Sequence, residues 1–230
     1  MVVCMAFLDR LFALLTRKKR GHLVGARRPS AVARTEDAPR EDRLRDKLIE
    51  DPNDIDAFAA LAELVRRRAA GVGPADPLTA EQLPADVKRA TDVAVWALAE
   101  EIAGNPRAWY ALVELGRLSL ENDHEGAMRR LNHACERETS GRALAESVRM
   151  LREAGLPGEG LGLGVGHWSP RDNIVEAGRQ VVMAALDAGR PADARRHLEA
   201  LGTANDRAGA VAAVRDLEPL VARAEVGNEV

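Results

Sequence analysis

Aromatic side chains are scarce in this 230-residue chain, 3% of the total, with three Phe, three Trp and a single Tyr. A sheet protein draws on aromatic and β-branched runs, and none is present; Ala, Leu and Val supply most of the apolar share, so the class read from composition is all-α. Cysteine is scarcer still. Cys4 and Cys135 form neither a disulfide framework nor a C-x-x-C pair, which points to a reducing, cytoplasmic setting. Long apolar runs are missing too: nothing approaches the roughly 18 residues of a membrane-spanning helix. The basic cluster Arg17, Lys18, Lys19, Arg20 follows the apolar N-terminal segment, the reverse of a signal peptide. His22, His124, His133, His167 and His197 do not pair with Cys or acids at ligand spacing, and His133 and Cys135, two apart, diverge on a helix. No nucleophile elbow, zinc-protease or kinase set occurs. No metal, cofactor or catalytic residue is therefore assigned, and the chain is read as a non-enzyme.

What is present is a chain of 46% hydrophobic and 30% charged residues, long enough to bury a core. Its net charge of −3 hides a division: residues 1–34 carry eight basic groups against Asp9 alone, +7, which leaves −10 on the remainder. Met1 to Arg17 patterns as an amphipathic helix, with Phe7, Leu8, Leu11, Phe12 and Leu15 on one face and Asp9, Arg10, Ala13 and Thr16 on the other. Residues 18–40 lose that periodicity and mix Gly, Pro, Ser and Arg, which predicts a basic flexible linker. Together the two have the physics of an interfacial anchor, Phe7, Leu11 and Phe12 facing acyl chains and Arg17, Lys18, Lys19 and Arg20 facing anionic headgroups. The alternatives are docking of the helix on the protein's own body and polyanion binding by the arm. The lack of aromatics in residues 17–34 counts against base stacking.

Residues 41–155 read as a helical repeat region. Glu41 to Ile49 is a short helix closed at Pro52, and Asp54 caps Ile55 to Ala70, whose Phe58, Leu61, Ala62 and Val65 form one stripe. Gly71 to Asp86 is a Pro- and Gly-rich connection. Val87 to Ala103 is apolar all round at VAVWALA, so it should be buried on more than one side. Asn105 as cap and Pro106 as first residue predict a helix from there to about Leu120. Asp123 caps the next helix, and Ser140 to Ala154 follows, ended by Gly155. In residues 156–170, Gly158, Gly160, Gly162, Gly164 and Gly166 alternate with Glu or apolar residues, and a loop is predicted. That loop has neither the Lys-Ser/Thr of a P-loop nor G-x-G-x-x-G behind a strand. Ser169, Pro170 and Asp172 read as a helix start. Residues 171–225 then form a C-terminal hairpin, Asn173 to Ala188 and Pro191 to Leu201 about a Gly189 turn, and a last helix behind Thr203 and Asp206.

The stretch from Asn105 to Glu138 resembles a tetratricopeptide repeat. Trp109, Tyr110 and Leu112 look like the aromatic and Leu of that family's first helix, Asp123 falls at its turn, and Ala127, Leu131 and Ala134 resemble the small-large-small set of its second helix. Val113 departs, standing where the family has a small residue. Phe58, Leu61 and Ala62 with Ala94, Leu98 and Pro106 resemble an earlier copy stretched by the 71–86 insertion. Val181, Val182, Gly189, Ala194, Leu198 and Leu201 resemble a later one that lacks its aromatic because Gly178 sits there. The resemblance implies antiparallel helical hairpins stacked as a tetratricopeptide-like array, whose groove of first helices takes a peptide or a partner helix. By that analogy the groove carries Asp56, Ala59, Glu63, Arg66, Tyr110, Glu114, Arg117, Arg179 and Met183. Ala59, Glu63 and Glu114 fill the places from which the family's chaperone-tail binders clamp a terminal carboxylate, so that ligand class is disfavoured.

The function read from these features is a non-catalytic protein–protein interaction module, a scaffold or adaptor, cytoplasmic and recruited to the inner membrane surface by its N-terminal helix and basic arm. Partner contacts are placed at Glu63, Arg66, Tyr110, Glu114 and Arg117 in the groove and at His167 and Trp168 in the glycine-rich segment, where an exposed Trp would be a hot spot. A nucleic-acid or ribosome-associated protein held by the arm is the alternative. An enzyme using the glycine segment as a lid is the third reading.

Overall fold

A computed structural model describes residues 31–71 and 84–227 of the chain. The expected helix at 1–17 and the linker as far as residue 30 lie outside the described residues, and with them Phe7, Leu11, Phe12, Arg17, Lys18, Lys19 and Arg20; so does most of the 71–86 connection. Asp37–Val230 forms one compact unit and the residues before it a separate one. Among the described residues there are ten α-helices and no strand. They are α1 (Ala31–Glu50), α2 (Ile55–Ala70), α3 (Pro84–Ala103), α4 (Tyr110–Ser119), α5 (His124–Arg137), α6 (Arg142–Glu153), α7 (Pro157–His167), α8 (Val175–Asp187), α9 (Pro191–Leu201) and α10 (Arg207–Gly227).

From α2 onward, each helix packs on its neighbour in sequence, and α6, α8 and α10 also pack on α4, α6 and α8 respectively. The pattern is that of stacked hairpins, α2/α3, α4/α5, α6/α7 and α8/α9, followed by α10. α4, α6, α8 and α10 begin at Tyr110, Arg142, Val175 and Arg207, steps of 32, 33 and 32 residues. The core runs the length of the stack through Phe58, Leu61, Leu131, Leu144, Leu151, Leu161, Leu198, Leu201 and Leu217, all under 3% exposed.

Local chemistry sets most helix ends. Asp54, Asp123 and Asp206 accept the backbone N–H groups of Ala57, Gly126 and Gly209 at 2.8, 2.9 and 3.0 Å, each satisfying a donor that a helix start leaves free. Gly155 and Gly189 take the left-handed conformation, φ +76 and +67, that closes α6 and α8. There Leu156 N–H donates to Leu151 O and Arg190 N–H to Ala185 O, at 2.8 and 2.9 Å. Pro157 and Pro191 then open α7 and α9 at a position that has no use for an N–H.

Several expectations are corrected. The glycine-rich 156–170 segment is mostly helix, α7, and supplies the second half of a hairpin that the sequence reading left without one. Alternation by two places Gly160 and Gly164 on one helical face and Gly158, Gly162 and Gly166 on the other. The inward pair lets neighbours approach: a Cβ on Gly160 would meet Val148 Cγ1 at 3.5 Å, and one on Gly164 would meet Val181 Cγ2 at 2.6 Å. The outward glycines have nothing within 4 Å. Leu161 and Leu163, at 2% and 4% exposure, supply the burial that holds the helix. Among the described residues the first helix begins at Ala31, inside the expected linker, and carries Pro39 within it.

α4 starts at Tyr110 and not at Pro106. Asn105 and Pro106 make a turn, in which Arg107 N–H donates to Asn105 Oδ1 at 2.9 Å. The cap of α4 comes instead from the distant Asn53, whose Oδ1 accepts Trp109 N–H and Tyr110 N–H at 2.9 and 3.1 Å. Ser169 to Asp172 is likewise a turn before α8, closed by Ser169 Oγ donating to Asp172 Oδ2 at 2.6 Å. Thr203 donates to Ala200 O and caps nothing. Successive turns on this edge are joined by side chains: the Nδ2 groups of Asn53, Asn173 and Asn205 donate to Arg107 O, Thr139 O and Arg171 O at 2.8, 2.9 and 2.6 Å.

Candidate functional site

The groove residues expected on α4 form one hydrogen-bonded set. Tyr110 Oη donates to Glu114 Oε1 at 3.2 Å, and Arg117 Nε donates to Glu114 Oε2 at 3.2 Å, with Arg117 Nη2 also on that oxygen. The spacing of three and four residues is what stacks them along one helix face. Tyr110 is 7% exposed and Glu114 9%, so of the three only Arg117 reaches solvent. Burial, and then the Glu114 carboxylate, push the Tyr110 hydroxyl well above its ordinary value, so it stays a neutral donor. Burial works against the Arg117 charge, but Glu114 more than offsets it and fixes the guanidinium as a permanent cation. The Tyr110 ring meets Phe58 edge-on at 5.4 Å and Trp109 at 5.8 Å, which ties the set to the first hairpin.

Glu63 is exposed and Arg66 half-buried on α2, and no hydrogen bond or ion pair among the described residues joins them to the α4 set. Further along, Arg152 bonds Gln180 Oε1 and Asp187 Oδ2 at 2.6 and 2.7 Å, and Arg179 reaches Asp216 at 3.5 Å. The charges there are largely spent on joining α6 to α8 and α8 to α10.

His167 and Trp168, expected to present a contact loop, close the end of α7. His167 Nε2 lies 2.9 Å from Asn132 Oδ1 of α5. Trp168 stands edge-on to His197 at 5.6 Å and lies over Gly178, where a Cβ would come within 2.7 Å of its Cζ2. Trp168, from the turn before α8, thus fills the space that Gly178 leaves.

Among the described residues, two surface hollows bear on the site. One, of about 810 Å³, lies between the α5–α6 and α7–α8 turns and is lined by Cys135, Glu138, Thr139, His167, Arg171 and Asp172 among others. Its polar groups serve the turns. Glu138 accepts the N–H groups of Ser140, Arg142 and Ala143 at 3.0, 2.6 and 3.1 Å, and so caps α6, whose own cap position is Gly141. Burial alone would raise the Glu138 carboxyl, but the Ser140 hydroxyl and these amides hold it below its ordinary value. Burial pushes the Cys135 thiol up to about 12, which leaves it protonated and unreactive.

The second hollow, of about 890 Å³, is bordered by α3, the end of α4 and the α6–α7 turn. Val93, Trp96, Leu118, Leu120 and Leu156 give it an apolar floor, and Lys88, Asp92, Arg117 and Glu121 a charged rim. Arg130 stacks over the half-buried Trp96 ring at 4.9 Å. Of the expected contact residues only Arg117 lines it. Periodicity does not single out Trp96 or Leu120, because the hollow is assembled from three separate elements; the one signal is the apolar-all-round middle of α3. Among the described residues no cluster of His, Cys, Asp or Glu is placed to hold a metal ion, and no helix is long and apolar enough to cross a membrane. No protein-family model, no curated protein and no solved structure matches the chain.

Proposed function

We propose that this chain is a non-catalytic protein–protein interaction module, a tetratricopeptide-like scaffold or adaptor. The observation that carries the reading is the stacking of hairpins in sequence order, with the helices α4, α6, α8 and α10 starting 32 or 33 residues apart. Such arrays present extended surfaces for a peptide or helix, because each unit adds one more exposed face. The hollow with Trp96, Leu120 and Arg117 supports the same reading: an aromatic and aliphatic floor beside a fixed cation is the composition of a partner hot spot. The amphipathic 1–17 segment and the basic residues after it make recruitment to an anionic membrane part of the proposal, on sequence grounds alone.

Co-purification from native lysate tests it, with membrane and soluble fractions read separately. The wild-type chain is expected to retain a specific protein, and Trp96→Ala and Arg117→Glu each to lose it while the helical circular-dichroism signal is kept. Removal of residues 1–30 should move the complex from membrane to soluble fraction. Retention of the same partner by both variants would rule this surface out.

A further inference from the structure

Pro219 divides α10, the helix that packs last on the stack. Proline has no N–H to give to Arg215 O one turn back, so the helical ladder is interrupted there. The half before the break buries Ala210, Ala213 and Leu217, starts on the Asp206 cap, and is tied to α8 by Arg179 and Asp216 at 3.5 Å. The half after it, residues 219–227, buries Val221 alone. Among the described residues, the side-chain hydrogen bonds and ion pairs of that half all run to Arg195 of α9. Arg195 grips both sides of the break. Its Nη1 donates to Glu218 Oε1 at 2.6 Å, while Nε and Nη2 donate to Glu225 Oε1 and Oε2 at 3.0 and 2.8 Å.

We propose that residues 219–227 are a strap, hinged at Pro219 and latched onto α9 by Arg195, and that the latch opens as ionic strength rises. One buried valine gives too little apolar contact to keep such a segment ordered unaided. A two-pronged guanidinium–carboxylate pair joined by a second carboxylate is the geometry in which a partly exposed ion pair does hold a segment. The Arg195 side-chain hydrogen bond keeps the Glu225 carboxyl below its ordinary value, as a latch on the ionised form does. Arg195 is 27% exposed and Glu225 37%, so salt reaches the pair and screens it. Release uncovers Arg195 and the seat of Val221 at the end of the stack. This inference does not rest on the proposed function.

Hydrogen exchange of the full chain, read by mass spectrometry on either side of Pro219, tests it. Between about 0.05 M and about 1 M NaCl, the exchange rate of residues 220–227 relative to 208–218 should rise about threefold or more. Arg195→Gln and Glu225→Gln should each produce that rise at low salt and remove the salt dependence. Arg196→Gln, whose guanidinium pairs with Asp193 of its own helix, should change neither. Simple fraying of a helix end is indifferent to Arg195. A ratio that does not move with salt in the wild-type chain would overturn the proposal. So would Arg195→Gln and Glu225→Gln variants that both exchange as the wild type does.

Discussion

The hairpins α4/α5 and α6/α7 have the same architecture and opposite chemistry. In α4/α5 large side chains make the contact: Leu131 is fully buried and presses into α4 at Gly116, where a Cβ would come within 2.8 Å of Leu131 Cδ2. Trp109 and Tyr110 extend that contact to Phe58 of the hairpin before. In α6/α7 the second helix is nearly bare, and its inward Gly160 and Gly164 bring the α7 backbone against side chains of α6 and α8. A knob in a notch and a backbone against side chains both bring two helices into close contact. Only the first leaves a periodic pattern of large apolar residues in the sequence.

Three measurements test that difference, the first with the largest expected effect. Leu131→Ala should cost about 2–5 kcal/mol of unfolding free energy, because it removes buried methyl groups and leaves an unfilled notch at Gly116. Urea denaturation followed by circular dichroism reads it, and a loss within error would mean that the central contact is not built on Leu131. The second uses one substitution on the two faces of α7. Gly164→Ala should destabilise by about 1–2 kcal/mol, overpacking against Val181 outweighing the helix propensity gained. Gly162→Ala, in open space, should stabilise by about 0.5–1 kcal/mol. Equal signs for the two would erase the distinction between the faces.

The third and smallest concerns the end of the α6/α7 hairpin, where Trp168 meets His197. Burial first, and then Arg196 and Arg190 against the opposing Asp193, hold the His197 pKa below its ordinary 6.5. The folded state therefore binds its proton less readily than the unfolded state, so stability is complete above the unfolded value and falls as the pH drops from there towards the folded value. The urea midpoint should fall between about pH 7.5 and about pH 5.5, and His197→Phe, which keeps an edge for Trp168, should lessen that fall. An unchanged slope in the variant would assign the pH dependence to other groups.

Much of the fold is legible without coordinates. The helix starts at Asp54 and Asp123 and the glycine turns at Gly155 and Gly189 are local events, and they occur where the residues demand them. Two starts mislead because a local signal met a distant competitor. Asn105-Pro106 has the form of a helix start, but Asn53 holds the N–H groups of Trp109 and Tyr110, and α4 begins there instead. Asn173 donates to Thr139 O and accepts Ser169 N–H, which keeps Ser169 to Asp172 in a turn. The candidate site is less legible. The Tyr110, Glu114 and Arg117 set follows from helical spacing on one element, whereas the hollow beside it needs α3, α4 and the α6–α7 turn at once.

The sequence by itself determined an all-helical chain, its acidic caps and glycine turns, and a hydrophobic stripe on most helices, because these depend on residues within a turn or two of one another. Tertiary structure alone decided that a glycine-rich segment is a helix, since a bare helix is stable only when neighbours cover its inward face. It also decided which of the polar residues on α4 reach solvent, because the Glu114 carboxylate is shared by two partners and only Arg117 extends past them.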